Sequence, residues 1–214
     1  NSAVNSSNGG GTDAGLVAGQ CYGKISYCIV SGNVTGIGYV GGIVGQLGDV
    51  WYNNHPGGDI IACSFSGTVN ADNTTSTDDT RMGSFGAGIC GMADNNSTIQ
   101  FCVANADITA IKACNGISST MVSGTSGGWI PRQRPAGSPD VTNSYANGNV
   151  NETAINDNTI TNTIGEREPN YYKGEMPAED IVELLNDAIP EEEQDKFYFD
   201  VINGEVVLII GQRA

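Results

Sequence analysis

Positive charge is scarce in this chain. Nine Lys and Arg stand against 24 Asp and Glu in 214 residues, and the formal net charge is −15. Nucleic acids and anionic membrane surfaces are bound through basic patches, so neither is expected as a partner. Long apolar runs are missing too: no stretch approaches the roughly 18 residues of a membrane-spanning helix. No insertion of this segment into a bilayer is therefore expected. Histidine occurs once and no CxxC pair is present, which removes the ligand spacing of a zinc site. HExxH and Walker-type phosphate loops are absent as well. The chain opens NSAVNSSNGG, without an initiator Met or a signal peptide, and reads as part of a longer protein.

What is present is a repeat. The clearest copy is YVGGIVGQ at 39–46 followed, after a polar excursion, by GDIIACSFSGTVNA at 58–71. Upstream stand AGLVAG (14–19) and KISYCIVSGNVTG (24–36); downstream stand GAGICG (86–91) and TIQFCVANADITA (98–110). A worn copy follows as ACNGIS (113–118) and DVTNSYANGNVNE (140–152). The copies align residue by residue. Ile25, Ile60, Ile99 and Val141 share one column, and Val34, Val69, Ile108 and Val150 share another. Gly32, Gly67 and Gly148 form a third column, with Ala106 in the third copy. The apolar blocks are too short, and too rich in Val, Ile, Thr and Gly, for helices; they read as strands between glycine corners. One such unit cannot bury its own apolar face, so successive units must stack. The expected fold is all-β: a parallel β-solenoid (β-helix-like) of about four coils, closed by a small C-terminal helix plus β-hairpin cap.

The G-(I/L)-V-G block followed by I-x-x-C/S-x-x-x-G-x-V resembles the GLUG-motif repeat of bacterial surface and secreted proteins. GGIVG at 41–45 matches best, AGLVAG and AGICG are variants, and the resemblance covers about residues 14–152. It implies an extracellular or cell-surface, adhesin-like module and brings no catalytic residue set with it.

The six cysteines fall unevenly. Cys28, Cys63 and Cys102 occupy one column that Ser144 completes, so they read as a buried, reduced ladder of small apolar side chains. Cys90 takes the position of Val44 and reads as core; whether Cys21 and Cys114 pair is left open.

Three regions follow: a flexible lead-in, or the tail of a preceding repeat, over 1–13, the repeats over 14–152, and a linker and capping segment over 153–214. The tail differs in kind, since 13 of the 24 acidic residues lie within 166–214. Pro177 and Pro190 bracket a helix expected at about 178–189, whose stripe of Ile181, Leu184, Leu185, Ala188 and Ile189 needs a surface to cover. A hairpin turning at Asn203-Gly204 is expected over about 196–210. Together they would form a lid over the bare end layer of the stack.

Candidate site residues lie where insertions break the repeat. One insertion, at 46–57, carries Trp51, Tyr52, Asn54 and His55; the other, at 121–139, carries Trp129, Arg132 and Arg134. Both leave the repeat at the same point, so both should emerge on one side, about 10 Å apart at two strand spacings. Exposed aromatic rings stack on sugar faces or anchor protein partners, while Arg and Asn satisfy the polar groups around them. The competing reading is that each Trp folds back to seal its own loop. Asp72, Asp78 and Asp79 in a third insertion offer carboxylates to calcium, but their spacing matches no EF-hand loop and reads as a solvated turn. No other cofactor is expected.

Two functions from different classes compete. The preferred one is a non-enzymatic surface or secreted module presenting loops to a glycan or to a host or bacterial surface protein. The alternative is a polysaccharide-active enzyme, a lyase or glycoside hydrolase, on a β-helix scaffold. It requires clustered carboxylates or a basic residue with calcium, and the basic residues here are few and scattered.

Overall fold

Short β-branched blocks punctuated by glycine become parallel strands in the computed structural model, which describes residues 2–5, 13–48, 57–71, 85–93, 96–110, 113–118, 140–152, 171–173 and 176–213. Strand β1 (Ser2–Asn5) comes before the first repeat, which supplies β2 (Ala18–Cys21), β3 (Lys24–Ser26) and β4 (Ile29–Thr35). The second supplies β5 (Tyr39–Gly41), β6 (Val44–Leu47), β7 (Asp59–Ile61) and β8 (Ser64–Ala71). The third supplies β9 (Phe85–Ala87), β10 (Cys90–Ala93), β11 (Thr98–Gln100) and β12 (Val103–Ala110). The fourth supplies β13 (Ala113–Asn115), β14 (Asp140–Thr142), β15 (Ser144–Asn147) and β16 (Val150–Glu152). The tail holds β17 (Tyr171–Lys173), α1 (Ala178–Asp187), β18 (Phe197–Ile202) and β19 (Glu205–Ile210).

The protein is mostly β, with several parallel sheets and one α-helix among the described residues. Each parallel sheet collects the same strand from successive repeats: β5-β9-β13, β2-β6-β10, β3-β7-β11-β14, and a long sheet running β1-β4-β8-β12-β15-β17 with β16 also on β12. The register is the one legible in the sequence. Ile25 pairs with Ile60, Ile60 with Ile99 and Ile99 with Val141. Val34 pairs with Val69, Val69 with Ile108 and Ile108 with Val150. Like residues thus stack on like, roughly 4.7–4.9 Å apart, and each column removes apolar surface from water without a change of shape between layers. Val34, Ile43, Ile60, Phe65, Val69, Ile89, Ile99, Ile108 and Ile117 form one buried core.

Two expectations about the ends need correction. Of the two readings of the first residues, 2–5 follow the tail of a preceding repeat and not the flexible lead-in: they form a strand, Val4 lying on Val34 and Asn5 on Thr35. They carry the strand half of the repeat pattern, which has backbone donors and acceptors to offer β4. Beyond the fourth repeat, Tyr171–Lys173 adds a further strand, Tyr171 on Ser144 and Lys173 on Ala146. Its YYK sequence lacks the glycine marks of the repeat and so was illegible as strand.

One corner of every repeat is left-handed. Tyr27, Ala62, Phe101 and Asn143, each directly before the Cys/Ser column, have φ of 57°, 50°, 54° and 48°. For a non-glycine residue this costs about 1–2 kcal/mol. Stacked backbone bonds hold it: Tyr27 N donates to Ile61 O, Ala62 N to Gln100 O and Phe101 N to Thr142 O. The reversal turns these side chains outward, away from the core that Ile25, Ile60 and Ile99 enter.

The tail packs on that outward column. Tyr27, Ile61, Ala62, Phe101, Val103 and Tyr145 meet Ile181, Val182, Leu185, Ile189, Phe197, Phe199, Val206 and Leu208 in a second core. Phe197 lies 5.5 Å from Phe101 and 6.1 Å from Tyr27, centroid to centroid. The tail therefore clasps the side of four repeats; it does not lie over an end layer. The apolar surface it needed was already supplied by the left-handed corners. Helix and hairpin stand close to their expected bounds, and Asn203 and Gly204 both have positive φ, as a two-residue type I′ turn requires. Within the helix the buried stripe is rotated: Val182 is buried and Leu184 is exposed.

Candidate functional site

The corner between the β2-β6-β10 sheet and the β3-β7-β11-β14 sheet is where the second-repeat insertion leaves and where both tryptophan insertions return. In the first repeat only Tyr22 and Gly23 separate the two strands. In the second repeat the chain leaves after Leu47, which pairs with Cys21 and Ala93, and returns at Asp59, which pairs with Lys24 and Thr98. In the fourth the described chain reaches Ser118, bridged to Cys90 and so level with Val44, and is described again at Asp140, paired with Thr98. The returning ends of the two tryptophan insertions, Asp59 and Asp140, thus share one corner, two strand spacings apart, with Thr98 of the third repeat between them.

This corner is pinned by a serine that sequence reading passed over. Ser97 is buried; its Oγ accepts from Gly58 N at 3.1 Å and donates to Leu47 O at 3.3 Å, joining both roots of the second-repeat insertion. Gly57 must be glycine, since a Cβ there would lie 1.9 Å from Asn96 O. Gln46 is also buried, and its Nε2 donates to Gly48 O at 2.9 Å. The only sign of Ser97 in the sequence is a small polar residue just before the Thr98-Ile99 strand, and that occurs widely in this chain.

Trp51, Tyr52, Asn54, His55, Trp129, Arg132 and Arg134 lie outside the described residues, as do Asp72, Asp78 and Asp79. What the structure gives for them is the position of their roots. Beside the corner, Tyr39 and Met92 are buried with Phe85 packed on them, the Tyr39 and Phe85 rings 5.5 Å apart. Asp13 accepts a 2.6 Å hydrogen bond from Gln20 Nε2, and burial holds its carboxyl above the usual carboxylate range.

The outward rows of the long sheet are short polar side chains. Ser31 and Ser66, Asn33 and Thr68, and Asn70 are exposed. Thr68 Oγ1 donates to Asn33 Oδ1 at 2.9 Å, and Asn149 donates through N and Nδ2 to Asp107 Oδ1 at 3.0 and 2.9 Å. Such rows bond to each other along the stack and offer little contact area to a ligand.

The four positions of the thiol column stack in one register, and their burial differs. Cys63 and Cys102 are buried and free, while Cys28 is free but only half-buried. The first repeat stands near the edge of the stack, and β1 covers only its Gly32–Thr35 segment. Cys63 Sγ donates to Ile61 O and Ile25 O, and Cys102 Sγ to Gln100 O and Ile60 O, so each thiol spans its own repeat and the one before. Ser144 ends the column: its Oγ donates to Thr142 O and accepts from Cys102 N. Burial pushes the Cys63 thiol up to about 12 and raises Cys102 well above its ordinary value. Cys90 pairs with Val44, is buried and free, and burial raises its thiol too. Cys21 is free and half-buried, whereas the Cys114 side chain lies outside the described residues.

Among the described residues no group of His, Cys, Asp and Glu is arranged to hold a metal ion, and no helix is long and apolar enough to cross a membrane. Comparison of the chain with family models, with curated proteins and with solved structures finds no match in any of the three.

Proposed function

We propose that the chain is a non-enzymatic repeat module of the GLUG-motif type, a parallel β-solenoid of about four coils that presents loops at one corner to a glycan or a surface protein. The solenoid reading is supported by the order of the strands: the second and third repeats visit the four parallel sheets in one sequence, and the strands of the first and fourth keep that order, each in register on its predecessor. The binding reading is carried by one observation, that the returning ends of the insertions bearing Trp51 and Trp129, Asp59 and Asp140, share a corner on either side of Thr98. A rigid scaffold that interrupts its own stacking at one corner places its variable loops where a partner can be met, and loops so placed are where binding usually sits. The parent protein would act outside the cell or on its surface, with tandem copies raising avidity.

The test screens glycan and surface-protein arrays with wild type, Trp51→Ala and Trp129→Ala, each first shown to be folded. Loss of one stacked ring is expected to weaken binding by about 1 kcal/mol, close to fivefold. A ligand whose affinity neither substitution changes would place the site elsewhere. Release of reducing ends or unsaturated products from a polysaccharide panel would favour the enzyme instead.

A further inference from the structure

The first and second repeats bring a half-exposed thiol directly against a buried one. Ser26 pairs with Ile61 and Ile29 with Ser64, so Cys28 stands opposite Cys63 on neighbouring strand ends. Ser64 N donates to Cys28 O at 2.8 Å and fixes the two backbones at that point. Adjacent strands place opposed Cα atoms roughly 4.7–4.9 Å apart, inside the roughly 4.4–6.8 Å range that a disulfide bridges. Cys63 Sγ points across the gap, reaching Ile25 O of the first repeat at 3.7 Å.

From this geometry we propose that Cys28 and Cys63 form a hydroperoxide-responsive thiol pair, oxidised to a disulfide that staples the first repeat to the second. Cys28 sulfur attacks one peroxide oxygen, the O–O bond breaks, and the departing hydroxide leaves as water with the thiol proton. Cys28 is then a sulfenic acid. Cys63 sulfur attacks the Cys28 sulfur, the S–O bond breaks, and the second hydroxide leaves as water with the Cys63 proton. Two thiols lose two electrons and two protons, and one peroxide becomes two waters. The second step requires the Cys63 proton to leave, which its burial opposes, so crosslinking quickens as pH rises.

Access selects this pair over its neighbour. Cys63 and Cys102 are opposed in the same way, through Gln100 on Ile61 and Val103 on Ser64, but both are fully buried. Only Cys28 reaches solvent along this column. Cys21 is an internal reference: it is half-buried like Cys28 but pairs with Leu47, so it has no thiol opposite.

The test treats the folded full chain with hydrogen peroxide and maps peptides without reductant. The expected result is a Cys28–Cys63 crosslink with the mass of two hydrogens lost, reversed by a thiol reductant. Closing this loop should raise the melting temperature by roughly 5–10 °C. In Cys63→Ser, Cys28 should instead persist as a sulfenic acid trapped by a 1,3-dione. In Cys28→Ser, a change whose outcome Ser144 already illustrates in the same column, Cys63 and Cys102 should stay unmodified in the folded protein. Wild-type Cys28 advancing to sulfinic acid while Cys63 still titrates as a free thiol would overturn the proposal. So would a Cys63–Cys102 disulfide forming in Cys28→Ser, because access would then not run through Cys28.

Discussion

Asn186 holds Phe199 as a neighbouring strand would. Its Nδ2 donates to Phe199 O at 2.9 Å, and its Oδ1 accepts from Phe199 N at 2.9 Å. One side-chain amide thus closes the free edge of β18 and locks the helix to the hairpin. Asn186→Ala leaves a buried donor and acceptor without partners and should cost about 1–3 kcal/mol. Asn186→Asp keeps the acceptor alone and should fall between wild type and alanine. Denaturant unfolding measures the difference, and an Asn186→Ala chain as stable as wild type would contradict this role.

The clasp should be needed by the repeats it covers. Phe197 is fully buried between Tyr27, Phe101 and Phe199, and truncating it to alanine should cost about 3–5 kcal/mol. Removing residues 176–213 would uncover Phe101, Val103 and Tyr145 together, so that shortened chain should self-associate or melt early. Light scattering and thermal unfolding decide; a monomer with an unchanged melting point would show that the clasp is dispensable.

The left-handed corners predict an unusual sign. At Ala62, φ is 50° and the side chain is only a methyl, so Ala62→Gly relieves strain while giving up little packing. The change should be neutral or stabilising by up to about 1 kcal/mol. At Ala104, which is buried in the core at an ordinary strand conformation, the same change should cost about 1 kcal/mol. Matched melting curves of the two variants test it, and equal losses would remove the strain argument.

Gly42 leaves room for Phe65. A Cβ on Gly42 would sit 2.3 Å from Phe65 Cγ and Cδ1 and 2.2 Å from Gly88 O, and only the ring can yield. Gly42→Ala should destabilise by roughly 1–3 kcal/mol through overpacking. Part of that loss should return in Gly42→Ala with Phe65→Leu, which a double-mutant cycle reads as coupling between the two sites. Strict additivity would mean that Gly88 O, and not the ring, sets the cost.

Alkali should unfold the chain through its buried thiols. Burial pushes the Cys63 thiol up to about 12 from an ordinary value of 9.0, so above pH 9 the unfolded state binds fewer protons than the native state. Stability from this group is whole below pH 9 and declines as pH rises towards 12, by about 1.4 kcal/mol per pH unit per thiol. Cys102, raised in the same direction, adds to the slope. Cys63→Ser should flatten the pH dependence between 9 and 12, measured by urea midpoints. An unchanged slope would show that other groups drive it.

The repeat register was legible because identical side chains recur at identical positions. Ile60 lies between Ile25 and Ile99, and Val69 between Val34 and Ile108, as the aligned blocks require. Helix and hairpin were legible from Pro177, the periodic apolar residues and Asn203-Gly204. The clasp's place was not legible, because nothing in the residue types of Tyr27 or Phe101 announces a left-handed φ. The common return of the two insertions at Asp59 and Asp140 follows from the aligned blocks, but the part of Ser97 in pinning the second-repeat corner depends on hydrogen bonds 39 and 50 positions apart in the chain.

Local chemistry by itself determined where the strands of the repeats lie, which of their residues share columns and which layers repeat, because period and glycine placement act over a few residues. Tertiary structure alone decided that the tail lies across four repeats, that Cys28 remains half-exposed while Cys63 and Cys102 do not, and that Tyr171–Lys173 joins the long sheet. Each of these depends on which surfaces are left open once the stack has formed. That is a property of the assembled layers, and no single segment carries it.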